Sequence, residues 1–419
     1  MRPVETDETR RKAALLPIFL IVLVDIFGMT LVIPLQAIYA ESLHATPTQA
    51  ALLVSVFAAC QLIAGPFLGA LSDRVGRKPI LLISQVGTCL GFLLMARATS
   101  LWMVYAARVI DGATAGNLSI AQAYISDHTA PSQRARSFAL IGIAFGLGFF
   151  IGPFVTSILV KHGLAAPILA AAGLSFTSIL CTLVLLPGGP PPASPESAGG
   201  DVGPGGRRLS ILQWSAYGEY FRRPVISGLL VQFFFYALCF ATFTSGFALF
   251  AERTFSWNGH PFSPREIGFL FAYTGFLGIV LQGGLINRLV KRLGEPALTR
   301  AGFVSITIGY LGLGLVHSVP LLIVVATLAS FGNGVLRPAL SSLISQGAER
   351  YEQGVVLGLT QSLTAVASIV APALTGILIE HNLLPEWAFF AAAAAVGGLL
   401  IARWGSDQAK TAAMTPRAT

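Results

Sequence analysis

The stretch GALSDRVGRKP, residues 69–79, places four charged side chains within six residues, between two long apolar runs. Gly76 and Pro79 supply a bend and the restart of a helix. A turn of about four or five residues is long enough to join two consecutive antiparallel helices. The stretch therefore predicts a short polar turn between two helices, and the flanking runs decide what kind of helices these are.

The composition is that of an integral membrane protein. Of the 419 residues 54% are hydrophobic and 11% are charged, and the mean hydropathy is +0.73, whereas soluble domains carry about 25% charged residues. About 20 apolar residues cross the hydrocarbon core, and they must be helical because lipid offers the backbone no hydrogen-bond partner. Twelve spans are predicted, at 15–40, 50–71, 78–96, 101–125, 135–160, 165–187, 225–251, 266–287, 297–317, 321–346, 353–379 and 385–404.

The segment PGGPPPASPESAGGDVGPGG, residues 187–206, has almost no apolar side chains and divides the spans into two sets of six. Each set carries a similar sequence after its second span, GALSDR at 69–74 and GGLINR at 283–288. The repeat indicates a parallel duplication. We therefore expect an all-α membrane protein with twelve transmembrane helices in two pseudo-symmetric six-helix bundles. Its predicted parts are an N-terminal tail (1–14), a first bundle (15–187), a linker (188–224), a second bundle (225–404) and a C-terminal tail (405–419).

The distribution of positive charge predicts which side each loop faces, because cytoplasmic loops retain Lys and Arg. With both termini cytoplasmic, 21 of the 27 Lys and Arg residues fall in cytoplasmic segments. This asymmetry accounts for the net charge of +8. We therefore do not interpret the charge as a sign of nucleic-acid binding.

The sequence offers no chemistry of an enzyme. The six histidines lie in loops or at span ends without metal-ligand spacing. The chain also lacks a GxxxxGK[ST] phosphate-binding loop. We expect no catalytic residues, no metal and no cofactor.

The stretch at 69–79 resembles the signature loop of the major facilitator superfamily, at the position where that family carries it. In the family this loop latches the two halves, its acid meeting the inner end of the eleventh helix and its arginine an acid at the end of the fourth. The second-half copy has Asn287 in place of the acid, so any latch there should be weaker. Because Gly69 has no side chain, another helix is expected to pass close to it. The implied conformational latch consists of Gly69, Asp73, Arg74, Gly76, Arg77 and Asp127.

Further motifs resemble twelve-span drug/proton antiporters, tetracycline exporters especially. They are RVIDGATAGNLSIAQAYISD at 108–127, GIAFGLGFFIGPFV at 142–155, LGE at 293–295 and QGVVLGLTQSLTAVASIVAPALTGIL from 353. In the fifth span, paired small residues permit close helix approach and a proline bends the helix. The implied hinge of this span consists of Gly142, Gly146, Gly148, Gly152 and Pro153.

Four charged residues fall inside predicted spans: Asp25, Arg108, Asp111 and Arg337. Each costs about 2.5–3.5 kcal/mol on insertion scales, so such groups are paired, face a cavity or are functional. Arg108 and Asp111 share a helix face, where they form an ion pair or, as the resemblance implies, Arg108 adjusts the proton affinity of an acid. Asp25 matches the acid in the first span of many antiporters and is our first choice of proton carrier, with Asp111 the second. A structural, hydrogen-bonded Asp is the alternative for each.

Arg337 lies beside Pro338, where a tetracycline exporter is not expected to carry Arg. A cavity-facing Arg favours a carboxylate or phosphate on the substrate, and the alternatives are pairing with an acid or snorkelling. Polar and aromatic residues in mid-span either line a substrate pocket or form hydrogen bonds between helices. Besides Arg337, these candidates are Gln36, Asn117, Gln122, Gln232, Tyr236, Tyr273, Gln282, Asn333 and Gln361.

The resemblance implies a secondary active transporter that works by alternating access, with proton-coupled antiport exporting a small amphipathic organic compound or drug. An organic-anion carrier, symporter or uniporter, built around Arg337 is the alternative. A membrane receptor or scaffold that does not transport is the alternative of another class. The expected partners are a small organic substrate, protons and the lipid bilayer. The chain is expected to be a monomer in a bacterial inner (cytoplasmic) membrane.

Overall fold

The computed structural model describes residues 7–128, 134–186, 214–348 and 353–414. These residues are almost entirely helical, with one two-stranded hairpin. The helices up to residue 186 are α1 (Asp7–Val32), α2 (Gln36–Glu41), α3 (Pro47–Val75), α4 (Arg77–Ala96), α5 (Leu101–Thr114), α6 (Asn117–His128), α7 (Arg134–Leu159) and α8 (Ala165–Leu185). The later helices are α9 (Trp214–Arg222), α10 (Pro224–Thr254), α11 (Pro264–Val280), α12 (Ile286–Leu293), α13 (Glu295–Leu315), α14 (Val319–Gly347), α15 (Gln353–Glu380) and α16 (Leu384–Met414).

The prediction of an all-α membrane protein is confirmed. Within the described ranges, ten helical segments are long and apolar enough to cross a membrane, and each matches one predicted span. The eighth span runs from Pro264 to Leu293 through a π-helical turn at Leu281–Leu285, which joins α11 to α12. The other two predicted spans, 15–40 and 101–125, are helical but interrupted, and each consists of two shorter helices.

The first interruption separates α1 from α2 at residues 33–35. Pro34 has no backbone N–H, so it cannot continue the helical hydrogen bonds. The Leu35 N–H donates to the Val32 carbonyl, three residues back, at 3.0 Å, instead of to the Leu31 carbonyl, four residues back. The carbonyl of Leu31 accepts a 2.7 Å hydrogen bond from the Thr156 hydroxyl of α7, so it stays satisfied inside the membrane.

The second interruption separates α5 from α6 at residues 115–116. Ser84 of α4 stabilises this break from the side. Its hydroxyl accepts from the Gly116 N–H at 2.8 Å and donates to the Thr114 carbonyl. The Gly116 N–H also donates to the Thr114 carbonyl at 2.7 Å, so one serine hydroxyl supports both the donor and the acceptor of the backbone contact at the break.

The described residues divide into two compact units. The first unit comprises those within Met1–Asp201 together with Phe262–Ile279, and the second comprises those within Val202–Pro261 and Val280–Thr419. Most of α11 therefore groups with the first unit, although the predicted boundaries assign it to the second bundle. A side chain at Gly268 of α11 would meet the Pro153 carbonyl oxygen of α7 at 2.8 Å, which shows how closely these two helices pack.

Each unit has its own apolar core. In the first, Ile18, Ile21 and Ile26 of α1 pack with Ile80 of α4 and Ile120 of α6. In the second, the largest fully buried side chains are Phe250, Phe303, Tyr310 and Trp387. These cores fix the helices on which the polar side chains described below are carried.

Three predicted segments fall partly outside the described residues. Residues 1–6 of the N-terminal tail, 188–213 of the linker and 415–419 of the C-terminal tail lie outside them. The end of the predicted linker forms α9, which the sequence analysis did not predict.

A hairpin follows α10, pairing Ser256–Trp257 with His260–Pro261 around Asn258 and Gly259, both with positive φ as this turn requires.

Candidate functional site: a buried polar cluster and the α3–α4 turn

A cluster of buried polar side chains lies inside the first unit, around Asp25 of α1. Both carboxylate oxygens of Asp25 are buried, and neither has a hydrogen-bond partner among the described residues. The side chains of Ser178, Gln85 and Asn117 approach the carboxyl group from α8, α4 and α6. Asp111 of α5 also acts electrostatically on the Asp25 carboxyl group.

Gln85 and Ser178 hold this cluster together between α4 and α8. Both side chains are fully buried, and the Gln85 Nε2 donates to the Ser178 Oγ at 2.8 Å. Ser175, one turn earlier in α8, donates to the Gln85 backbone carbonyl at 3.2 Å. The Gln85 Oε1 and the Asn117 Oδ1 are buried without a partner in the described ranges. The cluster thus contains oxygen acceptors in excess of the donors that reach them.

Arg108 and Asp111 form a buried ion pair on α5. The Arg108 Nη1 lies 3.4 Å from the Asp111 Oδ2, and the two residues are 7% and 6% exposed. The guanidinium carbon of Arg108 also lies 5.8 Å from the ring centroids of both Phe57 and Phe92. The pairing alternative of the sequence analysis is therefore present, and cation–π contacts that the sequence did not indicate add to it.

The break between α5 and α6 determines how the cluster is assembled. Asn117 is the first residue of α6, directly after the Ser84–Gly116 contact. Glycines let α4 and α5 approach closely at the same level: a side chain at Gly91 would meet the Asp111 Cβ at 3.1 Å. Asn117 and Asp111 are thereby brought to the same buried region from two short helices.

The α3–α4 turn, residues 72–78, is a second polar centre in the first unit. The Arg77 Nη1 lies 2.6 Å from the Asp73 Oδ1, and the Arg77 Nε donates to the Asp127 Oδ2 of α6 at 2.9 Å. Gly76 has a φ of 104°, in the region that favours glycine. Of the six residues of the implied latch, the structure therefore brings the side chains of Asp73, Arg77 and Asp127 together.

Two further residues of this turn were missed by the sequence analysis. The Ser72 hydroxyl is fully buried, accepts from the Arg77 Nη1 at 2.7 Å and donates to the Gly69 carbonyl. Lys78 donates to the carbonyls of Leu183 and Leu186 at the end of α8, at 2.9 and 2.6 Å. A basic side chain at a helix C-terminus interacts favourably with the helix dipole. The position of Lys78 in the sequence, two residues after Gly76, does not indicate which helix it reaches.

The glycines of the latch and the hinge differ in their surroundings. A side chain at Gly152 would meet the Thr30 Cβ at 2.8 Å, and Gly148 packs against Ile26. The lack of a side chain at both positions therefore allows α1 to pack closely against α7. Gly146 faces Ile279 of α11 at 3.4 Å. A Cβ added at Gly69 or Gly142 would meet no atom of the described residues within 4 Å. The close approach expected at Gly69 and at Gly142 is therefore absent from the described residues.

The remaining candidates for substrate contact are spread over both units. In the first, Gln36 is buried, and Gln122 and Tyr273 are half-buried. In the second, Gln232 and Tyr236 are buried, Asn333 is half-buried, and Gln282, Arg337 and Gln361 are exposed. Asn333 donates to the Tyr310 hydroxyl at 3.3 Å, and Tyr310 was not among the predicted residues.

No group of three or more His, Cys, Asp or Glu side chains within the described part of the chain is placed to hold a metal ion.

The comparisons with known proteins agree with this architecture. The family model described as Major Facilitator Superfamily matches residues 18–318 and 262–414. "Tetracycline resistance protein, class B" of Escherichia coli is 29% identical over 374 residues, 88% of each chain. The class C protein from the same organism is 30% identical over 370 residues, 86% of this chain and 88% of that protein. Among solved structures, the human organic anion transporter MFSD10 (TETRAN) has a TM-score of 0.68 at 22% identity, over 94% of this chain and 99% of that one.

Proposed function

The chain belongs to the major facilitator superfamily of membrane transporters, and from this premise we propose that it exports a small amphipathic organic compound in exchange for protons. The similarity to tetracycline resistance proteins supports export and an organic substrate. The observation that carries proton coupling is Asp25, whose carboxylate oxygens are buried without a hydrogen-bond partner among the described residues. The proposed exporter is a monomer in a bacterial inner membrane with both termini cytoplasmic.

The proposed proton step follows from the cost of burying a charge. An isolated buried carboxylate is unfavourable by several kcal/mol or more, so the carboxyl is most stable there as the neutral acid. When alternating access exposes the group to water, ionisation no longer carries this cost and the proton leaves. Asp25 is the proposed carrier, and the charge of Asp111, which is paired with Arg108, acts on it.

Proton release on substrate binding tests this proposal. Detergent-purified protein in weak buffer receives a panel of cationic, neutral and anionic compounds, tetracycline among them, while a pH indicator reports released protons and calorimetry reports binding. We expect wild type to release protons with at least one compound and Asp25→Asn to bind that compound without release. Glu219→Gln is the matched control, because it removes an exposed carboxylate on α9. Equal release from wild type and Asp25→Asn would remove Asp25 from the mechanism.

A second candidate function, an organic-anion carrier, is supported by Arg337. This side chain is exposed although it lies midway along the span Val319–Gly347. A guanidinium in such a place favours a bidentate carboxylate or phosphate. If the protein binds only anions, without proton release, and Arg337→Ala abolishes that binding, the anion carrier replaces the exporter as the proposed function.

A further inference from the structure

The turn between α12 and α13 contains a polar contact that the proposed function does not use. Glu295 is the first residue of α13 and follows Gly294, which has a φ of 74°. The Glu295 Oε1 accepts from the Ser342 hydroxyl at 3.2 Å and from the Gln346 Nε2 at 3.1 Å, both near the end of α14. Gln346 also donates to the Ser342 Oγ at 3.0 Å, which closes a three-membered network, the Glu295 network.

This network corresponds to the α3–α4 turn of the first unit in three respects. In both places a glycine with positive φ ends one helix, and the next residue begins another. In both, the side chain of that first residue contacts the end of the next span. Arg77 contacts α6, the second half of the span formed by α5 and α6, and Glu295 contacts α14. The chemistry is reversed, since a cation meets acids in the first unit and an acid meets neutral donors in the second.

We propose that Glu295 is a positioning residue for transport, which anchors the start of α13 to the end of α14 as Arg77 anchors α4 to α6. In the sequence repeat, GGLINR carries Asn287 at the position that Asp73 holds in GALSDR, so the repeat does not indicate Glu295. Glu295 lies eight residues after Asn287, on the other side of the turn, in the LGE motif. The inference rests on the chain being a transporter and is independent of proton coupling.

The choice of contacts predicts which substitutions are tolerated. Glu295→Gln keeps a side-chain oxygen that accepts from Ser342 and Gln346, whereas Glu295→Ala leaves both donors without it. If the anchor acts through these hydrogen bonds, the glutamine variant should resemble wild type. If the negative charge itself were required, glutamine and alanine would be equally damaging.

Two measurements on purified full-length protein test the anchor. Hydrogen–deuterium exchange at the start of α13 is expected to accelerate about tenfold in Glu295→Ala, because the hydrogen bonds from Ser342 and Gln346 are both lost, and to stay near wild type in Glu295→Gln. In proteoliposomes, with the panel compound that wild type transports fastest, Glu295→Ala should lower the maximal rate with KM changed less than about twofold, the pattern of a lost conformational contribution. Gln346→Ala, which keeps the bond from Ser342, should show both effects to a smaller degree, and the double variant should differ little from Glu295→Ala.

The outcomes separate the anchor from the proposed function. Unchanged exchange in Glu295→Ala overturns the anchor, as does faster exchange with an unchanged maximal rate, which would make the contact merely structural. Loss of both properties in Glu295→Gln overturns the hydrogen-bond account. Flux that is independent of a proton gradient would contradict proton coupling and leave the anchor supported, provided that the three variants still differ as expected.

Discussion

The α3–α4 turn and the α12–α13 turn hold matching places in the two halves of the chain, yet they use opposite chemistry. Arg77 contacts two carboxylates and a serine hydroxyl, and its side chain is only 13% exposed. Glu295 contacts one serine and one glutamine. An ion-paired contact is lost when either charge is removed, whereas a contact to neutral donors survives loss of the charge if the acceptor oxygen remains. The two turns should therefore respond differently to the same kind of substitution.

The largest effect is expected from Arg77→Ala, because it breaks three polar contacts at once. We expect the maximal transport rate to fall on the order of 100-fold, equivalent to about 2.7 kcal/mol. Flux in proteoliposomes measures this rate, and Arg77→Lys is the companion variant, since a single ammonium cannot reproduce the guanidinium geometry. A rate within twofold of wild type in Arg77→Ala, at equal expression, would contradict the expected difference between the two turns.

A smaller effect is expected from Asp73→Asn, because Arg77 keeps Asp127 and Ser72. The Asp73 side chain is 43% exposed, so solvent screens its pair with Arg77. We expect the maximal rate to fall about tenfold with little change in KM, since a latch affects the conformational step more than substrate binding. Unchanged flux at normal expression would contradict the latch role of Asp73.

A pair of substitutions that gives the second turn the ion-pair chemistry of the first tests whether the two turns are interchangeable. The double variant Glu295→Arg with Gln346→Asp places an Arg–Asp pair in the second unit, like that of Arg77 with Asp127. We expect each single variant to lower the maximal rate and the double variant to recover to within about threefold of wild type, because only the double variant pairs both new charges. A double variant no better than the worse single variant would show that the second turn cannot accept an ion pair.

The smallest effect is expected from salt. Raising the ionic strength from about 0.1 M to 1 M shortens the Debye length from about 10 Å to 3 Å, which weakens exposed ion pairs more than bonds to neutral donors. The salt dependence of the rate should be about twofold smaller in Arg77→Ala than in wild type, whereas in Glu295→Gln it should equal that of wild type. Flux measured across a potassium chloride series checks both statements. An equal change in the two backgrounds would contradict the assignment of the ion pairs.

The amino-acid sequence predicted the helices well because their main determinant is local. Each stretch of about 20 apolar residues must be helical in lipid, whatever its neighbours are. The two spans that are interrupted were predicted as continuous because hydropathy does not register a break that remains apolar. At Gly116 the break is stabilised by Ser84 of another helix, a tertiary contact that no local pattern encodes.

The polar sites were predictable in part for a similar reason. Asp25, Arg108 and Asp111 stood out because a charge within an apolar span is rare. Gln85 and Ser178 did not, since uncharged polar residues in spans are common and only their 2.8 Å contact reveals the cluster. Glu295 was missed because it lies at a helix end, where an acid is unremarkable and only its partners on α14 give it meaning.

The break at residues 115–116 also changes the electrostatics deep in the first unit. An unbroken span has its positive pole at a membrane surface, but α6 starts at Asn117, beside Asp25, so a helix N-terminus lies within the protein. The aligned peptide dipoles place a partial positive charge there, which stabilises a nearby anion by about 0.3–1 kcal/mol or more when partly buried. A carboxylate formed at Asp25 therefore meets a counter-charge supplied by the backbone itself, one that no side-chain substitution removes as long as the Ser84 contact preserves the break.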